Sequence, residues 1–235
     1  MKEAHTLERS LEKFKFSPGE RAALLCCSYI PLFHVVLICC TLCTPWAALG
    51  WRIGAAAAVL YLLPPLLARC ILRIWPIHEG CIAMPSRDYF VWWALLNLQV
   101  LFCRLPALEE LMRIIPGAYG AWLRLWGSRV GSFIYWAAGL QILDRSFLNI
   151  GSGVVFGAGV RLSPHVIAEN DVGGLELKLA AIHIGDCALI GGYSLLTAGT
   201  RIADGENGRA CLISPPFSRW KSGKRIQKTM SPGAQ

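Results

Sequence analysis

Between Ile150 and Gly205 the apolar positions fall on a six-residue beat. Ile150, Phe156 and Leu162 are six apart, and Ile184, Ile190, Leu196 and Ile202 keep the same phase after an interruption. A small residue follows each of them: Gly151, Gly157 and Ser163, then Gly185, Gly191, Thr197 and Ala203. Two residues further on come Gly153, Gly159 and His165, then Cys187, Tyr193, Gly199 and Gly205. A helix of about 3.6 residues per turn cannot hold a period of six on one face, and an isolated strand gives no reason for glycine at each sixth place. A coiled β-solenoid accounts for both. Each hexad is a short strand and a tight corner, the apolar side chain points into the prism, and the small residue after it lets the corner turn. A glycine-rich loop with chance periodicity is the competing account, and seven hexads in one phase argue against it.

Upstream, the pattern changes to long apolar runs. Residues 22–49 carry no charged side chain and exceed the roughly 20 residues that a membrane-spanning helix needs. His34 lies within the run and is expected to be neutral and hydrogen-bonded. Trp51 and Arg52 read as an interfacial anchor. A second run extends from Ile53 to Trp75, interrupted only by Arg69 and Arg73, with Pro64 and Pro65 as a kink. A third, from Asp88 to Arg104, is short and carries Asn97 and Gln99, so a re-entrant or interfacial element is expected there. Leu7, Leu11 and Phe14 are spaced as on a short amphipathic helix. Residues 105–131 place Leu108, Leu111, Met112, Ile115, Trp122 and Leu125 among Arg113, Arg124 and Arg129, broken at Pro116-Gly117. They read either as amphipathic helices at headgroup level or as a helical cap on the solenoid.

The fold expected is therefore α + β, with N-terminal transmembrane and interfacial helices over residues 1–131, a small β-helix of hexapeptide repeats over 132–218, and a basic, mobile tail over 219–235. About three coils are visible. Residues 132–145 are expected to form a first irregular coil. Val166 to Ile182 breaks the beat with a loop containing Glu169, Asn170 and Asp171, followed by the strand-like alternation Leu175, Leu177, Leu179.

Composition narrows the function. Of 235 residues 54% are hydrophobic and only 16% charged, which fits membrane contact. The net charge is +8, and basic residues crowd the N-terminal segment (Lys2, Arg9, Lys13, Lys15, Arg21) and the stretch from Arg219 (Arg219, Lys221, Lys224, Arg225, Lys228). No basic face interleaved with aromatics accompanies it, so nucleic acid is not expected as a partner; anionic lipid and an anionic co-substrate are. Five of the ten cysteines sit inside the first apolar run, where Cys40 and Cys43 read as apolar filler rather than a redox or zinc pair. No cleavable signal peptide is expected.

On the repeat residues quoted above, the chain resembles the hexapeptide-repeat acyltransferases. The match covers a quarter to a third of the sequence and is poor for substrate. The resemblance implies a left-handed β-helix, a homotrimer with sites between protomers, and transfer of an acyl group from acyl-coenzyme A. It also implies a histidine general base beside an extruded loop, and His165, within Ser163-Pro164-His165-Val166, stands in that place. Glu169, Asn170 or Asp171 would hold its imidazole. Backbone N–H groups of Gly191 or Gly192 would serve the oxyanion. Ala198, Gly199 and Ser214 would line the pantetheine arm, with Arg219, Lys221 and Lys224 at its phosphates. His183 is expected outside a coil. A zinc site of the kind found on the same fold needs a close histidine pair; the five histidines here contain no His-x4-His, and no metal is expected.

The expected activity is transfer of an acetyl or short acyl group to a hydroxyl or amine of a saccharide, lipid-linked or peptide-like acceptor. The basic N-terminal segment would face the cytoplasm. Two spans then return the chain to that side, placing the catalytic domain on the cytoplasmic face of a bacterial inner membrane. An acyl carrier protein as donor, docked on the basic tail, and a non-catalytic membrane-tethered scaffold are the alternatives.

Overall fold

The computed structural model describes residues 16–170 and 173–226. They divide into two compact units, one running to Leu101 with 167–178 added, the other comprising Phe102–Val166 and the chain from Leu179.

The first unit is mostly helical. Helix α1 (Pro18–Ser28) starts at a capping box: the Glu20 N–H donates to Ser17 Oγ at 3.3 Å, and the Ser17 N–H donates to Glu20 Oε2 at 2.7 Å. It passes through Tyr29 into α2 (Ile30–Leu42), where Pro31 has no N–H to offer the Cys27 carbonyl. Helices α3 (Leu49–Tyr61) and α4 (Leu63–Ile74) meet at Leu62, just before Pro64 and Pro65. Pro18–Leu42 and Leu49–Ile74, of 25 and 26 residues, are long and apolar enough to cross a membrane by length and composition. His34 is buried between α2 and α3, and its Nε2–H donates to the Val59 carbonyl at 3.0 Å. The proton is on Nε2 because a carbonyl can only accept.

The third apolar run is helical. It forms α5 (Arg87–Leu98), capped by Ser86 Oγ, and α6 (Val100–Arg104). Trp92, Leu95 and Leu98 are buried, and Trp93 Nε1 donates to the Leu24 carbonyl of α1 at 3.3 Å. Its 12 residues would reach only about 18 Å, short of a bilayer core. It is a short helix packed on its neighbours. Strand β1 (Gly80–Ala83) joins the segment extruded from the repeats, described below. The Leu7, Leu11 and Phe14 helix lies outside the described residues.

In the second unit, α7 (Ala107–Ile114) and α8 (Ala118–Leu125), separated by Gly117 at φ +80°, precede a three-faced parallel β-solenoid. The first face stacks β2 (Arg129–Val130), β5 (Leu148–Ile150), β10 (Ile182–Ile184), β13 (Arg201–Ile202) and β16 (Arg219–Lys221). The second stacks β3 (Tyr135–Trp136), β6 (Val155–Phe156), β11 (Leu189–Ile190) and β14 (Asn207–Gly208). The third stacks β4 (Gln141–Ile142), β7 (Arg161–Ser163), β12 (Leu195–Thr197) and β15 (Ile213–Ser214). The register sets Val130, Ile150, Ile184 and Ile202 in one inward column, and Ile142, Leu162 and Leu196 in another. Trp136 stacks on Phe156 with centroids 5.2 Å apart, and Tyr119 of α8 meets Trp136 edge-on at 5.0 Å. The cap helices thus continue the aromatic core over the open end of the prism.

There are four full coils, more than the three expected, because 129–142 is a regular coil. Residues 219–226, expected as the start of a mobile tail, are ordered as well. Arg219 pairs with Arg201 in the parallel ladder, and β17 (Lys224–Ile226) folds back antiparallel on β16. The last coil closes the prism with hydrogen bonds rather than aliphatic packing. Ser214 Oγ contacts Thr200 Oγ1 at 2.9 Å and Ser218 Oγ at 2.6 Å, and accepts from Trp220 Nε1 at 2.8 Å.

The small residue after each apolar one has a different role from the turn expected of it. A Cβ on Gly185 would lie 2.5 Å from the Asp204 nitrogen, and one on Gly191 would lie 2.3 Å from the Ala210 nitrogen. These positions are small so that successive coils can stack. Left-handed backbone falls two residues later, at Gly159 (φ +65°) and Gly199 (φ +68°) and also at Cys187 and Tyr193.

After β7 the chain leaves the solenoid as β8 (His165–Glu169), turns, and returns as β9 (Leu175–Leu179); the sheet order is β1, β9, β8. Asn170 closes the turn, its Oδ1 accepting from the Gly174 N–H at 2.8 Å.

Candidate active site

His165 occupies the third corner of its coil, three residues beyond the inward Leu162. Gly199 holds the same place after Leu196 and Phe217 after Ser214. Where the later coils turn directly, this coil extrudes β8 and β9. Ser163 Oγ donates to the His165 carbonyl at 2.9 Å and fixes the backbone where the strand departs. The side chain is 18% exposed, so the imidazole is held on one side and open on the other.

Its partner comes from the preceding coil. His165 Nδ1 donates to Asp144 Oδ2, and Asp144 is 1% exposed. With the proton on Nδ1, Nε2 is the ring nitrogen that has the basic lone pair. This pair is absent from the expectations above, which looked to the loop. The sequence holds one signal for it: Ile142 to Ile150 is eight residues where the beat is six, so two extra residues enter this corner. The insertion makes a turn, with the Phe147 N–H donating to the Asp144 carbonyl at 3.2 Å.

The neighbouring Arg145 is anchored in the opposite direction. It is 1% exposed, and Nε donates to Glu109 Oε1 of α7 at 2.9 Å, with a second contact from Nη2 to the same oxygen. Its guanidinium lies 5.6 to 6.0 Å from the ring centroids of Phe102, Trp122 and Trp126. Its carbonyl accepts from Ser128 Oγ at 2.5 Å. Arg113 Nη2 donates to Glu109 Oε2 at 2.9 Å and to the Leu140 carbonyl at 3.0 Å, and the Tyr119 hydroxyl donates to Glu109 Oε2. Burial opposes the charge on Arg145, but Glu109 outweighs it and holds the guanidinium above its ordinary pKa. Burial, reinforced by Glu109, pushes the Tyr119 phenol up as well.

The other expected site residues fare differently. Glu169 is at the far end of β8, about 13 Å along the strand from His165 at ordinary strand rise, and is exposed. Asn170 closes the loop turn, and Asp171 lies outside the described residues. The carboxylate in contact with the His165 ring is that of Asp144. Gly191 spends its N–H on the Gly208 carbonyl at 2.9 Å and opens the second corner, whereas His165 stands at the third; it is not an oxyanion donor there. Ala198 and Ser214 are wholly buried in the prism and cannot line an external arm. Gly199 stays in the His165 corner column. Arg219, Lys221 and Lys224 are exposed together on the β16–β17 hairpin. His183 sits on the first face, half-buried, where Asn149 Nδ2 donates to its Nδ1 at 3.3 Å. Among the described residues no group of three or more His, Cys, Asp or Glu is arranged to hold a metal ion.

No protein-family model matches the sequence, and no curated protein does. Among solved structures, the chain is similar to a hexapeptide-repeat-containing acetyltransferase from Vibrio cholerae, with 14% identity, a TM-score of 0.35, and coverage of 57% of this chain and 93% of that one. It is similar to soybean serine acetyltransferase complexed with serine, at 13% identity and a TM-score of 0.24 over 87% of this chain and 70% of that one. Serine acetyltransferase isoform 3 from Entamoeba histolytica, in complex with cysteine, matches at 8% identity and a TM-score of 0.20, over 78% of this chain and 63% of that one. Likeness at this level is too low to decide an activity.

Proposed function

We propose that the protein is a membrane-anchored acyltransferase of the hexapeptide-repeat type, its solenoid left-handed, with His165 as general base and Asp144 as the residue that orients it. The observation that carries this reading is the Asp144–His165 pair at the mouth of the extruded loop. A partly exposed imidazole held at Nδ1 by a buried carboxylate is what proton abstraction from an acceptor requires. Nε2 takes the proton of an acceptor hydroxyl or amine as its oxygen or nitrogen bonds to the thioester carbonyl carbon. The tetrahedral intermediate collapses, the C–S bond breaks, and the thiolate takes that proton back from the imidazolium. The acyl donor is acyl-coenzyme A, with Gly199 in the corner column beyond the base and Arg219, Lys221 and Lys224 available to its phosphates. Two apolar helices hold the chain in a bacterial inner membrane with the repeats on the cytoplasmic side, and three copies associate. The acceptor is a saccharide, a lipid-linked glycan or a peptide-like metabolite.

The experiment is thiol release from acetyl-coenzyme A by the purified full chain, with and without extracts that supply acceptors, alongside His165→Ala. Acceptor-dependent release that His165→Ala abolishes, with an unchanged melting curve, is the expected result. Release only from an acylated carrier protein would reassign the donor. A cellular phenotype indifferent to His165→Ala would leave a tethered scaffold and overturn the enzymatic reading.

A further inference from the structure

The polarity of α7 is inverted. From Leu105 to Gly117 every exposed residue is apolar: Leu105, Pro106, Ala107, Leu111, Ile114, Ile115, Pro116 and Gly117. Ile114 is 74% exposed, Ile115 61% and Leu111 57%. Two of the three charged residues of the same stretch, Glu109 and Arg113, point the other way. Glu109 is buried against Arg145, and the Arg113 side chain is 5% exposed between Glu109 and Glu110. A helix packed on a soluble core turns its apolar stripe inward. Here Ala107, Leu111 and Ile114, spaced four and three apart, form a stripe on the outside.

The surroundings specify what covers this stripe. Between Phe102 and Trp136 the exposed charged residues are Arg104, Arg124 and Arg129, and none is acidic. The partly open carboxylate of Glu110 is taken by Arg113 Nη1 at 2.6 Å and the Gly139 N–H at 3.1 Å. Arg124 donates to the carbonyls of Val130 and Gly131 at 2.8 Å each, and among the described residues no carboxylate pairs with it. Beside it a cavity of about 660 Å³ opens, lined by Ile115, Pro116, Arg124, Phe133 and Tyr135, and Phe133 projects from its edge at 94% exposure. Apolar side chains flanked by arginine, with the one partly open carboxylate, Glu110, already held by Arg113 and Gly139, are complementary to an anionic lipid surface. A second copy of the same face would set Arg104 and Arg124 against like charges.

We infer that the Leu105–Gly117 segment beds its outer face in the headgroup–acyl boundary of a bilayer, with Arg104 and Arg124 on anionic headgroups. This rests on the bilayer placement proposed above. The test incorporates a benzophenone amino acid at Leu111, at Ile114 and, as control, at the exposed Gln141 of the solenoid. The full chain is reconstituted in phosphatidylcholine vesicles with or without phosphatidylglycerol, irradiated, and analysed by mass spectrometry. Lipid adducts at 111 and 114, at least tenfold above those at 141 and several-fold richer with phosphatidylglycerol at low salt, are expected. Adducts to another copy of the chain, adducts no richer than at 141, or yields indifferent to phosphatidylglycerol overturn the inference. Alkaline carbonate extraction separates the two readings. Release of the protein defeats the bilayer placement itself, whereas retention without lipid adducts at 111 and 114 defeats only the bedding of this face.

Discussion

Asp144 and Arg145 are adjacent, equally buried, opposite in charge, and committed to different partners: Asp144 to His165 of the next coil, Arg145 to Glu109 of α7. The two-residue insertion that breaks the hexad spacing therefore serves two ends. One residue reaches forward to His165. The other reaches back into an aromatic and acidic box, and its carbonyl is tied to Ser128. With its successor fixed at both ends, Asp144 has little freedom to leave Nδ1, which is the preorganisation that a general base needs.

Asp144→Asn tests that arrangement. An amide is nearly isosteric but can turn its N–H toward Nδ1, favouring the tautomer in which Nε2 carries the proton and cannot accept another. The expected loss in kcat is on the order of 10²- to 10⁴-fold, with the KM for the acyl donor unchanged. Steady-state kinetics with purified protein checks it, and an active Asp144→Asn variant would falsify the tautomer argument.

Glu109 holds two arginines, so its removal is expected to cost more than an ordinary surface ion pair. Glu109→Gln leaves the Arg145 charge buried without its anion and weakens the hold on Arg113. Breaking a buried pair from one side typically costs about 3–5 kcal/mol. Replacing both partners, with Glu109→Leu and Arg145→Leu together, should cost less than Glu109→Gln alone, because the buried Arg145 charge goes with its anion and Arg113 keeps Glu110. Thermal melting in detergent distinguishes the two outcomes.

Tyr119 makes stability sensitive to alkali. Burial and the Glu109 carboxylate raise its folded pKa above the ordinary value near 10. A folded pKa raised in this way gives stability that is complete below the unfolded value and declines as pH climbs past it. Melting temperature should therefore fall above about pH 10, through deprotonation of the unfolded phenol. Tyr119→Phe should flatten that part of the decline, at the cost of the hydrogen bond to Glu109. Melting curves from pH 8 to 11 on both proteins check it.

The parts legible in the sequence are those where one side chain has one duty. Ile150, Phe156, Leu162 and their counterparts do nothing but fill the prism, so their period survives to be read. Gly208 and Ser214 hold the same inward places in the last coil but are not apolar, because Thr200, Ser218 and Trp220 close that end with hydrogen bonds, and the beat fades there. The place of His165, at a corner before an interruption, was legible. Asp144 was not, since a carboxylate from the coil below is near in space and 21 residues away in sequence. The inward turn of Glu109 and Arg113 was hidden for a related reason. Amphipathic spacing tells which residues share a face, and a buried partner such as Arg145 decides which face goes inside.

The two kinds of glycine in the solenoid separate close stacking from backbone conformation, and substitution should tell them apart. At Gly185 an added Cβ would meet the Asp204 nitrogen at 2.5 Å and Asp204 Oδ1 at 2.3 Å. The backbone of the next coil cannot yield without opening the Gly185 N–H bond to the Ile202 carbonyl, at 3.0 Å. At Gly205 nothing lies within 4 Å of the added atom, but φ is +63°. The penalty there is conformational only, about 1–2 kcal/mol for an alanine in left-handed backbone. Cys187, Tyr193 and Cys211 already tolerate that conformation at equivalent corners. Gly205→Ala should thus lower the melting temperature by a few degrees and leave acyl transfer intact. Gly185→Ala should destabilise by more than about 3 kcal/mol, as overpacking against an immobile neighbour does. It should also loosen the β10–β13 ladder, seen as faster amide exchange at His183 and Gly185. Equal melting temperatures for the two variants would mean that the coils are not stacked this closely.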